Sequence, residues 1–200
     1  MFAAIVLAAG KSRRMRRNKL RLPFGAVTVV EAVVREIRAA VGDVVVVTGY
    51  EREAIEAMPF GRAVRFAFNE DYIEGEMLSS VQVGLRAMRS DCQAALIAQA
   101  DQPHVPTETI ERILKAHRPG CIVIPSYRRR RGHPILLDRV FWPAVLALPL
   151  DATLRTVIHA HAENIVHVAV DTNTVLDDLD TQEDYERAVS RLRGKQKHRR

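Results

Sequence analysis

An α/β fold built on a mostly parallel, mixed central sheet is predicted by two features of the 200-residue sequence. Short apolar runs recur along it, several apolar at every position, as strands covered on both faces require. Stretches with apolar residues at helical spacing lie between them, and this alternation builds βαβ units. The strands are expected at Phe2 to Ala8, Val44 to Thr48, Val64 to Phe68, Ala94 to Ala98, Cys121 to Ile124 and Ile165 to Val170. The helices are expected at Val29 to Ala40, Glu51 to Met58, Leu78 to Met88, Thr107 to His117, Ala152 to Ala160 and Gln182 to Leu192. Start signals mark three of them: Thr107 and Asp151 each precede an apolar-periodic stretch, and Thr181 is followed three residues later by Asp184.

With 48% hydrophobic residues, a chain of this length buries a core without disulfides or a structural metal, so one domain over residues 1–192 is expected. The formal net charge of +6 resides in the last ten residues, which hold six Lys or Arg and no acid. Residues 193–200 are expected as a basic, disordered tail; the balanced body lacks the footprint of a nucleic-acid-binding domain. Cys92 and Cys121 have neither metal nor redox spacing, which predicts buried free thiols in a reducing cytoplasm. The run Phe2 to Ala9 follows no charged segment and is too short to span a bilayer, so a cytoplasmic protein without membrane contact is expected.

In an open α/β sheet ligands bind beyond the carboxyl ends of the strands, which directs attention to the loops there. LAAGKSRRMRRNKLRLPFG, Leu7 to Gly25, packs seven Lys or Arg into Lys11 to Arg21. Gly10, directly after a strand, lets the backbone turn and approach an anion, while N–H groups and cations supply donors and charge. The Walker A and dinucleotide-binding spacings are both absent. Composition alone supports a solvated basic loop and an anion cradle equally. ALIAQADQPHVP places Asp101 just past a strand, where a carboxylate can hold Mg²⁺ beside phosphate oxygens or simply form a turn. NEDYIEGEMLSSVQVGL brings Ser79 and Ser80 to a helix start, as caps or as donors to an anion or a sugar edge. RRRRGHPILL reads as a solvated loop and a turn, and Thr181 in DLDTQEDY as an N-cap. His159 and His161, two apart, face different sides of a helix and form no metal pair.

In order, and from Phe2 to about Leu192, these elements resemble the nucleotidyltransferases that attach a nucleotide to molybdopterin, the MobA and MocA-like family. Leu7, Ala8, Ala9, Gly10, Ser12, Arg14, Met15, Lys19, Leu22 and Pro23 fall in register with its first signature. The resemblance implies a Rossmann-like, three-layer nucleotidyltransferase fold. It places Arg14 and Lys19 on the triphosphate and Leu7 to Gly10, Ser12 and Ser79 or Ser80 around the nucleotide. Asp101 and Asp180 become ligands of Mg²⁺, with Asp178 the alternative second ligand, and Lys19, Asp101 and Arg14 form the catalytic set. Gly132, His133 and Pro134 fall on the acceptor side. Arg13, Arg17 and Arg21 receive no role and are expected to be solvated. Arg16 stands where the family has glycine, Ala100 likewise, and Gln182 replaces a proline; one extra residue separates Gly75 from the serines. Ala9 and Gln102 resemble the cytidylyl-transferring branch. The implied reaction is transfer of CMP from CTP to the phosphate of molybdenum-molybdopterin, with pyrophosphate leaving and transient contact with a molybdoenzyme or its chaperone. Two alternatives stay open: guanylyl or other nucleotidyl transfer to molybdopterin or to a sugar or polyol phosphate, and a non-catalytic NTP- or nucleic-acid-binding protein.

Overall fold

The computed structural model describes residues 1–15, 17–61, 63–73 and 77–197, without the side chains of Arg13 and of residues 195–197. Arg16, Gly75 and the last three residues therefore lie outside the described residues. The strands are β1 Phe2–Ala8, β2 Pro23–Phe24, β3 Val27–Thr28, β4 Val44–Thr48, β5 Val64–Phe68, β6 Ala94–Gln99, β7 Ile122–Tyr127, β8 Arg130–Arg131, β9 Ile135–Asp138 and β10 Ile165–Ala169. The helices are α1 Val29–Ala40, α2 Arg52–Glu56, α3 Met77–Arg86, α4 Thr107–Lys115, α5 Trp142–Leu146, α6 Leu154–Ala160 and α7 Gln182–Lys197.

The main sheet runs β5-β4-β1-β6-β9-β7-β10, with β8 paired to β7 and β2–β3 a separate hairpin. β1 pairs in parallel with β4 and β6, β4 with β5, and β7 with β10; β9 is antiparallel to both neighbours. The sheet is thus mostly parallel, as the apolar runs predict, and mixed through β9. Alternation along β1 divides the core. Ala4, Val6 and Ala8 face a layer with Val30, Val34 and Ile37 of α1 and Ile110 and Ile113 of α4. Ala3 and Ile5 face Leu78, Val81 and Leu85 of α3, Trp142 of α5 and Leu154 and Ile158 of α6. A smaller cluster joins Ala188 of α7 to Phe24 of β2, Leu179, and Val29 and Ala32 of α1.

Thr28 and Glu31 close a capping box on α1, and Thr181 and Asp184 exchange the same pair of bonds before α7. The other two start signals need correction. Thr107 is the first residue of α4, and its hydroxyl donates to Glu36 Oε2 at 2.8 Å instead of capping. The N-cap of α6 is Thr153, since residues 151–152 still belong to a turn. α7 runs past Leu192 to Lys197, so residues 193–197 of the expected tail are helical; cations near a helix C-terminus meet the favourable end of its dipole. RRRRGHPILL is not a simple loop: Arg128 and Arg129, with φ of 47° and 66°, form the turn of the β7–β8 hairpin.

Register brings the carboxyl ends together. Leu7 pairs with Gln99, Ala8 with Thr48 and Thr48 with Phe68, so the loops leaving β1, β4, β5 and β6 emerge along one edge. Backbone bonds continue the alignment, from Tyr50 N–H to Ala9 C=O at 3.1 Å and from Ala100 N–H to Leu7 C=O at 3.3 Å. Cys92 and Cys121 are buried and free, as expected. Among the described residues no helix is long and apolar enough to cross a membrane.

Candidate active site

The loop after β1 is shaped by its own side chains. Ser12, at φ 49°, turns the chain, and its Oγ accepts the Lys19 N–H at 3.2 Å. Asn18 is buried and caps the next turn by accepting the Leu20 N–H. That turn aims Lys19 inward, where its ammonium lies between two carboxylates. It donates to Asp101 Oδ2 and, at 3.3 Å, to Asp180 Oδ1. Arg14 Nη1 lies 2.6 Å from Asp180 Oδ2. The Lys19 and Asp101 side chains are only 15% and 13% exposed, against 42% for Asp180, so the inner pair is shielded and the outer carboxylate faces solvent. Burial disfavours the Lys19 charge, but Asp101 and then Asp180 more than offset it and hold the ammonium above its ordinary pKa.

Asp101 and Asp180 fit a divalent cation. They come from separate loops and converge on one positive centre. Among the described residues no cluster of three or more His, Cys, Asp or Glu is arranged to bind a metal alone. Two carboxylates completed by phosphate oxygens and water are the donor set Mg²⁺ prefers. Asp178 is otherwise engaged: it accepts from Gln102 Nε2 at 2.7 Å, and burial, followed by the negative charge of Asp101, raises its pKa.

A cavity of about 450 Å³ opens over this cluster. Of the nucleotide residues expected, Leu7, Ala9, Gly10, Ser12, Arg14, Lys19 and Ser80 line it, with Asp101 and Asp180. Ala8 and Ser79 are buried behind the wall. Both serine hydroxyls accept from Asn69 Nδ2, at 2.8 and 2.9 Å, so Asn69 orients the start of α3. Gln102 is buried against Asp178 and Val175 and is not on this wall. Arg17 and Arg21 are not simply solvated: Arg17 donates to Gln182 Oε1 at 2.6 Å and Arg21 to Glu51 Oε2 at 2.8 Å, stitching the loop to α7 and to the turn before α2.

A second cavity of about 490 Å³ adjoins the first, sharing Met77 and Gln99 with it. Gly132 and His133 line it, with Arg131, Arg155 and His159; Pro134 does not. A Cβ on Gly132 would lie 2.3 Å from Val175 O, so only glycine fits there. Burial lowers the His133 pKa, which favours the neutral imidazole, and its Nδ1 is buried without a hydrogen-bond partner among the described residues. Asn69, Tyr72, Met77 and Gln99 are site residues absent from the sequence-based set. Asn69 and Tyr72 stand in the quoted NEDY stretch, but nothing local marks Gln99.

An α/β sheet with a basic loop, paired acids and two joined cavities at its carboxyl edge has the layout of an anion-binding site at the strand ends. The chain belongs to the MobA-like NTP transferase family, whose domain matches residues 4–165, and is a nucleotidyltransferase. Among relatives, nicotine blue oxidoreductase of Paenarthrobacter nicotinovorans is 34% identical over 150 residues, covering 70% of this chain and 72% of that one. Molybdenum cofactor cytidylyltransferase of Escherichia coli K12 is 24% identical over 188 residues, covering 94% and 95%. Among solved structures, a nucleotidyl transferase from Methanothermobacter superposes with a TM-score of 0.84 at 26% identity over 96% of this chain and 97% of its own. Rv0371c of Mycobacterium tuberculosis does so with 0.85 at 26% identity, over 94% and 97%. It has also been solved in complex with manganese, with a TM-score of 0.78 at 25% identity over 94% and 98%.

Proposed function

We propose that the protein transfers CMP from CTP to the phosphate of molybdenum-molybdopterin, releasing pyrophosphate, with Mg²⁺ held by Asp101 and Asp180. The observation that carries this reading is the convergence of Lys19, Arg14 and the two carboxylates on the wall of one cavity. Its full-length relationship to a molybdenum cofactor cytidylyltransferase supports the acceptor. Ala9 on the cavity wall supports CTP, whereas buried Gln102 bears on the nucleotide only through Asp178.

The reaction asks little covalent chemistry of the protein, because a phosphate nucleophile is already ionised near neutral pH; alignment and charge neutralisation suffice. When bound, the metal supplies positive charge for the phosphate oxygens. Lys19 and Arg14 exchange their carboxylate partners for the triphosphate. The shielded setting of Lys19 strengthens its contact relative to water, whereas Arg14 is exposed. Ser12 holds Lys19 in place, and the second cavity receives the acceptor beside Gly132 and His133.

Asp101→Ala is expected to abolish pyrophosphate release while the circular dichroism spectrum keeps its native shape. Near-normal turnover in that variant would sink the assignment. Thermal stabilisation by CTP, GTP and ATP with Mg²⁺ tests the nucleotide, since a ligand that binds only the native state raises its melting temperature. CTP is expected to stabilise most. Preference for GTP would replace the cytidylyl reading by the guanylyl one, and turnover with a sugar phosphate would replace the acceptor.

A further inference from the structure

Gln99 ends β6 and, among the described residues, shares with Met77 the position of lining both cavities. The residues before it on the same face, Ala95 and Ile97, are fully buried in the apolar layer beneath α3 and α6. Strand alternation thus puts a carboxamide where that face calls for an aliphatic side chain. Pairing between β6 and β9 stops at Ile97 opposite Ile135, so the sheet opens at Gln99 on the β9 side. Leu7 flanks it on the other side. Gln99 is half-buried, and its carboxamide has no hydrogen-bond partner among the described residues. A carboxamide offers both donors and an acceptor, and on the lining of both cavities these are placed to meet a ligand.

We infer that Gln99 is a substrate-contacting residue: its side-chain N–H donates to the acceptor's phosphate where the two cavities meet and sets the attacking oxygen in line with the α-phosphorus. The inference rests on the transfer reading above. In that step a bond forms between the acceptor's phosphate oxygen and the α-phosphorus. The bond from the α-phosphorus to the oxygen bridging the β-phosphate breaks, and pyrophosphate leaves with the electron pair. A neutral donor suits this position, because it fixes the orientation of an anion without binding it as tightly as a cation does. Met77 completes the wall at the same seam.

Gln99→Met keeps the length of the side chain and removes the donor; Gln99→Glu keeps the shape and sets a negative charge against the phosphate. With CTP, Mg²⁺ and molybdenum-molybdopterin, Gln99→Met is expected to release pyrophosphate about ten- to a hundredfold more slowly, with CTP affinity within about twofold of wild type, as loss of one bond to a charged group implies. Gln99→Glu is expected to lose more, with a higher KM for the acceptor. Wild-type turnover by Gln99→Met overturns the inference. So does a loss of CTP affinity that matches the loss of turnover, which would put Gln99 in the nucleotide site alone. Failure of the wild-type protein to release pyrophosphate overturns the transfer reading itself and the inference with it, and is seen before any variant is made.

Discussion

On the proposed reading, Lys19 lies where a divalent cation would neutralise the same two carboxylates, so the ammonium and the metal would compete until a triphosphate offered Lys19 a new partner. Lys19→Met keeps the aliphatic bulk and removes that competitor. The variant is expected to bind Mn²⁺ alone at least about tenfold tighter by electron paramagnetic resonance, about 1.4 kcal/mol, and to bind CTP more weakly. Unchanged Mn²⁺ affinity would show that Asp101 and Asp180 do not share a cation. Glu51 supplies a test by pH. It holds φ 53° ahead of α2, and the hydrogen bond from Arg21, opposed by burial, lowers its pKa. A carboxyl whose folded pKa is depressed stabilises the fold above its unfolded value and loses that contribution as pH falls through the folded value. Arg21→Gln is therefore expected to lower the melting temperature at pH 7, by an amount equivalent to no more than about 1 kcal/mol for so exposed a pair. The difference should close as pH falls below the ordinary value of 4.5; a deficit undiminished at pH 3 would mean that Arg21 acts by packing.

The elements read most clearly in the sequence are those with a uniform apolar pattern. β1, β4, β5 and α1 have the bounds expected of them: burial on both sheet faces marks β1 and β4, one apolar helix face marks α1, and β5, although only Val64 of it is buried, keeps a short apolar run between turn residues. β9 and α5 were not legible as elements. β9 is buried at all four positions but follows Gly132-His133-Pro134, whose turn residues dominate the local pattern. Its antiparallel setting depends on β6 and β7 being beside it. Gly132 shows how closely this region is packed. Gly132→Ala would drive a Cβ into the carbonyl of Val175, to which Gln102 Nε2 also donates at 3.4 Å. Since a backbone carbonyl cannot swing aside as a side chain can, a loss of about 1–3 kcal/mol is expected by chemical denaturation. Wild-type stability would mean that the turn at Asn173–Leu176 moves freely.

Across the molecule, the two ends of the sheet divide the work. The cavities open at the carboxyl ends of β1 and β6, whereas Asp138 pairs with Ala94 at the amino end of β6 and lies 2.8 Å from His117 Nε2. Asp138 also caps the following turn through the Val140 N–H. Asp138→Ala leaves both donors unmet and is expected to cost about 1–3 kcal/mol of stability. CTP affinity, measured by calorimetry below the melting transition, should stay unchanged; a parallel loss would couple the two ends. The sequence by itself determined the layered α/β architecture, the basic loop and the identity of most groups that line the first cavity, since each depends on local period or on spacing within one loop. The tertiary structure alone decided which of them meet. Arg14 and Asp180 are 166 positions apart and Lys19 and Asp101 are 82 apart, and their contacts follow from strand order and register, which apolar periodicity leaves open. The same reason hid Gln99: its neighbours on β6 mark it only as the end of a strand, and it becomes a seam between two cavities where the pairing with β9 has ended two residues before it.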